Sequence, residues 1–136
     1  MKILLTGSEG QLGRALRGSL PQVLQNSSVE LIATSRSGGD GLVALDLADA
    51  DACRVAVFES KPDWVINAGA YTAVDRAETE PELAQAVNGL APRAFAEALA
   101  QTGGRLLQVS TDFVFNGRQG HPYEPAQPRD PLGVYG

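Results

Sequence analysis

Along this chain the apolar residues switch between short continuous runs and helical spacing. Residues 2–6 (KILLT) form an apolar run closed by Gly7, and residues 11–20 then place Leu12, Ala15, Leu16 and Leu20 at helical intervals. The same alternation returns twice more. Residues 29–35 carry a second buried-strand pattern, and a glycine-rich turn at 37–41 leads into a third over 42–46. Asp49 is placed to cap a helix that reaches Ser60, Pro62 closes it, and residues 63–68 (DWVINA) predict a fourth strand. Thr79 and Glu82 then stand in the capping-box relation, with Pro81 in the first helical turn where its missing N–H costs nothing. Leu83, Val87, Leu90, Ala94 and Ala98 continue one stripe. Pro92 is expected to kink or split this helix, and Gly103 and Gly104 to end it. A fifth strand is expected at 105–110, followed by a polar, Pro- and Gly-rich stretch from 116 to 133 that reads as loop.

Strands that are apolar throughout and alternate with helices specify a parallel sheet covered on both faces. Right-handed crossovers make such a sheet doubly wound. The expected class is therefore α/β, with a doubly wound parallel sheet truncated after about five strands, because too little chain follows Tyr135 to complete a sixth. At 136 residues one domain is the natural reading.

Composition narrows the chemistry. Apolar residues make up 43% of the chain and charged residues 20%, a balance that suits a globular protein rather than a disordered or membrane-spanning one. A net charge of −5 argues against a nucleic-acid partner, which requires clustered Lys and Arg. It leaves open a small anion held by backbone N–H groups at a helix start. No apolar run approaches the ~18 residues of a membrane span, and Met1 leads directly into a strand pattern, so a cytoplasmic protein with no membrane partner is expected. Cys53, the sole cysteine, lies in an apolar helix face and reads as core. No metal is expected: His121 is a solvated loop residue, and Asp75, Glu78, Glu80 and Glu82 read as acids complementing a helix start.

Gly7, Gly10 and Gly13 form G-x-x-G-x-x-G between the first strand and the first helix, the context in which glycines allow a tight turn and close approach of a pyrophosphate. The N–H groups of Gly10, Gln11 and Leu12 are the expected phosphate donors. Residues 1–136 thus read as the N-terminal dinucleotide-binding domain of a Rossmann-type sheet. At the tip of the second strand stands Thr34-Ser35-Arg36, where NAD-preferring folds place a carboxylate. Ser35 can donate to a 2′-phosphate and Arg36 can pair with it bidentately, favouring NADPH over NADH. Reading Arg36 as a solvated loop residue leaves the preference open.

The segments GSEGQLG (7–13), NAGAYTAVDRAETEP (67–81), STDFVF (110–115) and PLGVYG (131–136) resemble, in order and spacing, the extended short-chain dehydrogenase/reductases, and among them the dTDP-4-dehydrorhamnose reductase family. The resemblance covers essentially the whole chain. It implies that Asp46 and Leu47 lie beside the adenine, with Asp46 accepting from its exocyclic amine. An Asp capping the next turn is the alternative use of that residue. It also implies that Ala68, Gly69 and Ala70 line the cofactor, flanked by Tyr71 and Thr72. Ser110 joins the cofactor-lining set, and Thr111 and Asp112 face the substrate. Tyr135 matches the tyrosine of the family's Y-x-x-x-K motif and touches both cofactor and substrate, while Phe113, where many relatives have tyrosine, reads as packing.

The implied reaction is NADPH-dependent reduction of the 4-keto group of dTDP-4-dehydro-6-deoxy-L-mannose to dTDP-L-rhamnose. Tyr135 would be the general acid, and the Thr111 hydroxyl a second donor to the same oxygen. The motif's lysine would fall four positions beyond Tyr135, so residues 1–136 alone are expected to be inactive. A homodimer is implied for the full-length form. Two other functions share these features: an NDP-sugar epimerase or dehydratase, and a non-catalytic subunit resembling the methionine adenosyltransferase beta subunit.

Overall fold

The computed structural model describes residues 1–24 and 28–136. Five strands, β1 (Lys2–Thr6), β2 (Glu30–Ser35), β3 (Val43–Ala44), β4 (Trp64–Asn67) and β5 (Arg105–Gln108), form one sheet in the order β3-β2-β1-β4-β5. Every pairing is parallel. The crossovers are α1 (Gln11–Val23), α2 (Ala50–Ser60) and a long helical segment comprising α4 (Pro81–Gln85), a π-turn (Ala86–Leu90) and α5 (Ala91–Thr102). A short helix, α3 (Val74–Ala77), precedes that segment. This is the doubly wound sheet that the alternating pattern predicts. No helix among the described residues is long and apolar enough to cross a membrane.

The core lies between the sheet and the α2/α5 pair. Leu4 and Val65 contribute from the central strands, Leu45 from just past β3, Cys53 and Val57 from α2, and Phe95 and Leu99 from α5. Ala91, Ala94 and Ala98 are almost wholly buried too, and their small side chains let α5 lie close while Phe95 fills the remaining space. Burial of each large side chain contributes roughly 1.5–3 kcal/mol. Cys53 belongs to this core, and burial, reinforced by the nearby Asp49 and Asp46 carboxylates, pushes its thiol up to about 11. That makes it inert at neutral pH.

Four local expectations need correction. β3 spans two residues instead of five, because Leu42 is spent in a tight turn with Gly39 and the chain turns again at Asp46, whose carbonyl accepts from Asp49 N–H at 3.1 Å. β4 and β5 are also shorter than expected, ending at Asn67 and Gln108. Thr79 does not open α4: its hydroxyl donates to the Arg76 carbonyl at 3.0 Å, closing α3, and Glu80 takes the N-cap position without a side-chain cap bond. The overlooked α3 supplies the carbonyl that wins this hydroxyl. Finally, Pro92 neither breaks nor simply kinks its helix. The turn before it widens so that Ala91 N–H reaches Ala86 O, five residues back, and a residue without an N–H is accommodated in the turn that follows.

Candidate functional site

Parallel strands bring their carboxyl ends to one edge, and the loops that follow β1, β2, β3, β4 and β5 meet there. Two adjoining cavities run along this edge. The first, about 170 Å³, is lined by Gly7, Gly10, Ser35, Arg36, Asp46, Leu47, Gly69 and Ala70, together with Glu9, Leu45 and Val87. The second, about 320 Å³, shares Gly69 and Ala70 and adds Leu12, Ala68, Thr72, Ser110, Thr111 and Tyr135. Nearly every predicted site residue therefore falls on one groove. Gln11, Gly13, Tyr71 and Asp112 line neither cavity.

The glycine loop is built by close approach. Gly7 has φ +62°, and a Cβ there would come within 2.5 Å of the Gly69 backbone, so the first glycine is demanded by both conformation and space. Gly13 is buried, and any Cβ on it would collide with the Gly7 carbonyl. Its role is to let α1 pack against the loop. Ser8 is fully buried between the strands, where its hydroxyl donates to Leu5 O and accepts from Thr34 N–H, both at 3.1 Å.

One expectation about donors changes. Gly10 N–H is already committed to Gly7 O at 2.9 Å, so it cannot be a free phosphate donor. Gly10 is the N-cap of α1, no side chain caps that helix, and its first turn contains no acid. Gln11 and Leu12, in the first turn, therefore carry N–H groups with no intrahelical partner.

At the other end of the first cavity, Ser35 Oγ accepts from Gly38 N–H at 3.0 Å and keeps its own proton to donate. Arg36 Nε lies 3.6 Å from Asp46 Oδ1, with the Arg36 side chain 71% exposed. Asp46 Oδ1 also accepts from Ala48 N–H at 2.9 Å, so the turn-capping use of this residue is realised here. Its position on the cavity wall is unaffected.

In the second cavity the Tyr135 ring meets Phe113 edge to face, with centroids 5.4 Å apart. Phe113 is otherwise half-exposed. Val134 N–H donates to Glu78 Oε1 at 2.8 Å, tying the terminal segment to the end of α3. Thr111 Oγ1 accepts from Phe113 N–H at 3.2 Å and lies 3.4 Å from Asp112 Oδ1, a weak use of its proton. Asp112 is placed differently from Thr111. It lines a neighbouring cavity of about 530 Å³ with Val74, Phe113, Phe115 and Tyr123.

Sequence reasoning missed the residues that hold this edge in shape. Asn88, on the π-turn, holds the backbone of one residue at both its polar groups: its Oδ1 accepts from Tyr71 N–H and its Nδ2 donates to Tyr71 O, both at 2.9 Å. The Tyr71 hydroxyl donates to Glu80 Oε2 at 2.7 Å, which raises the phenol's pKa. The same bond, with Arg76, lowers that of Glu80. No sequence signal pointed to Asn88, which lies off the Leu83–Val87–Leu90 stripe of its helix. Among the described residues no group of three or more His, Cys, Asp or Glu is arranged to hold a metal ion.

A parallel sheet in this strand order, with a glycine loop leading from β1 into α1, defines the Rossmann-type α/β class. A family model described as "RmlD substrate binding domain" matches residues 1–136. The chain belongs to that family. It is 44% identical over 133 residues to dTDP-4-dehydrorhamnose reductase of Streptomyces griseus, covering 98% of this chain and 40% of that relative. The crystal structure of a dTDP-4-dehydrorhamnose reductase from Clostridium acetobutylicum superposes with a TM-score of 0.85 at 36% identity, covering 99% of this chain and 45% of that one. A dTDP-4-dehydrorhamnose reductase from Bacillus anthracis, solved in complex with NADP, gives 0.84 at 29% identity over 98% of this chain and 44% of that one. The chain thus spans less than half the length of each of these relatives.

Proposed function

We propose that these residues form the nicotinamide-dinucleotide-binding part of an NADPH-dependent reductase that converts the 4-keto group of dTDP-4-dehydro-6-deoxy-L-mannose to the hydroxyl of dTDP-L-rhamnose. The observation that carries this reading is the single groove that unites the glycine loop, Arg36, the Ala68-Gly69-Ala70 wall, Thr111 and Tyr135. The names of the relatives support the substrate, and the NADP complex of the Bacillus anthracis relative supports the cofactor.

The groove fits a dinucleotide on its own chemistry. Uncapped first-turn N–H groups of Gln11 and Leu12 suit a pyrophosphate, which the helix dipole also favours. Ser35 retains a proton, and the largely exposed Arg36, which meets Asp46 through Nε, lines the same cavity, a pair suited to a 2′-phosphate. Asp46 and Leu47 take the adenine end, and small side chains at Ala68 and Ala70 leave room along β4 for the remainder.

Bound NADPH would supply the hydride. As the carbonyl carbon accepts it, negative charge grows on the oxygen and must be met by donors. Tyr135 gives its phenolic proton to that oxygen, and the Thr111 hydroxyl turns from its 3.4 Å contact with Asp112 to donate to the same atom. Asp112, on the far side of Thr111, would face the sugar from the neighbouring cavity.

The test is NADPH oxidation by the complete natural gene product at increasing dTDP-4-dehydrorhamnose, with cofactor binding followed by fluorescence. Saturable turnover is the expected result. Tight NADPH binding without turnover would favour another NDP-sugar enzyme or a non-catalytic subunit. Residues 1–136 assayed alone should show no sugar-dependent oxidation.

A further inference from the structure

The last rung of the sheet across β1, β4 and β5 is polar where the two rungs below it are apolar. Thr6 pairs with Asn67 in the β1–β4 register, and Asn67 with Gln108 in the β4–β5 register. Two residues earlier on the same strands stand Leu4, Val65 and Leu106, which face the α2/α5 core, so the three polar side chains share that face. Thr6 is 0% and Asn67 1% exposed. Burial without partners would be costly, and all their polar atoms are paired.

The pairing runs continuously across the sheet. Gly69 N–H donates to Thr6 Oγ1 at 3.2 Å, and the Thr6 hydroxyl donates to Asn67 Oδ1. Asn67 Nδ2 donates to Gln108 Oε1 at 2.7 Å, and Gln108 Nε2 donates to Val109 O at 2.7 Å. One end of this string touches Gly69, against which Gly7 packs in the cofactor loop. Its other end holds the peptide that leads into Ser110 and Thr111. The two halves of the groove are therefore linked by side chains as well as by the strands, with Thr6 and Asn67 buried beneath the floor and Gln108 on the wall of the second cavity.

We propose that Asn67 and Gln108 are positioning residues: through the Thr6–Asn67–Gln108 string they set the placement of Thr111 relative to the cofactor loop. The consequence for turnover rests on the reductase reading given above. Neither residue needs to touch the reacting atoms, since a displacement of about 1 Å in a hydroxyl that must meet a developing charge is enough to cost rate.

In the complete natural gene product, Gln108→Met and Asn67→Leu should each lower kcat for the sugar nucleotide about tenfold while leaving the NADPH KM within about threefold. Combined with Thr111→Ala, each should cost less than about twofold more, because no hydroxyl is left to misplace. An equal loss with and without Thr111 overturns the proposal. Gln108 lies at the exposed end of the string, so its variant remains a test if Asn67→Leu fails to fold. Amide hydrogen exchange at Gly69 gives a second reading that needs no turnover. Thr6→Val and Asn67→Leu should accelerate it at least about fivefold, and unchanged exchange overturns the string itself. A wild-type protein with no sugar-nucleotide turnover but a responsive Gly69 amide would overturn the positioning role together with the reductase reading, while keeping the string.

Discussion

Helices α1 and α2 both start at the carboxyl edge of the sheet, yet they complete their first turns in opposite ways. At α2 the Asp49 side chain accepts from Asp51 N–H and Ala52 N–H, and Asp51 adds a carboxylate to the same turn. At α1 the N-cap is Gly10, no side chain caps the turn and no acid lies in it. The first arrangement consumes its donors and the second keeps them. Helix starts are ordinarily capped because unpaired N–H groups are unfavourable, and the proposed function gives the uncapped start of α1 to a bound dinucleotide. The lesson is that the chain gives up stability at α1 and keeps it at α2, and the difference falls where the glycine motif lies.

The comparison can be broken most severely at Gly7. Gly7→Ala drives a Cβ into the Gly69 backbone at a positive φ, and should raise the NADPH Kd at least about 100-fold, roughly 2.7 kcal/mol, in a fluorescence titration. Gly10→Asp makes α1 resemble α2. Its backbone has φ −72°, which any residue adopts, and its Cβ would sit 3.2 Å from Gly7 O, so a small adjustment admits it. The new carboxylate should cap the turn and repel the pyrophosphate, weakening NADPH binding more than about tenfold while Tm stays within about 2 °C. Arg36→Ala should raise the NADPH KM about tenfold and leave that for NADH within about twofold, as expected of a largely exposed guanidinium reading one phosphate. The smallest effect is expected at the capped helix. Asp49→Ala should lower stability by about 1 kcal/mol in urea unfolding, with no change in NADPH affinity.

Much of this was legible in the sequence because the signals were local. Apolar runs such as KILLT and DWVINA, punctuated by Gly7 and Pro62, fixed the strands, and strand ends then located Ser35, Arg36, Ala68 and Thr111 on one edge. What escaped depended on a short helix, α3, that the pattern did not signal, and on partners distant in the chain. Thr79 looked like an N-cap until α3 offered the Arg76 carbonyl. Asn88 meets Tyr71 17 residues away, and Thr6 meets Asn67 61 residues away. Such pairs follow from sheet register and helix placement, which no single segment encodes. Gly10 was counted with Gln11 and Leu12 as a free donor for a related reason: the Gly7–Gly10 bond that occupies its N–H is made by the turn itself.

The most direct test is an NADPH titration of the isotope-labelled natural gene product, followed through the backbone amides at the two helix starts. A dinucleotide completing α1 predicts large, saturable shifts at Gln11 and Leu12, with Asp51 and Ala52 essentially unmoved. Saturation of binding with Gln11 and Leu12 unperturbed would contradict it, because the uncapped turn of α1 would then have no part in holding the cofactor.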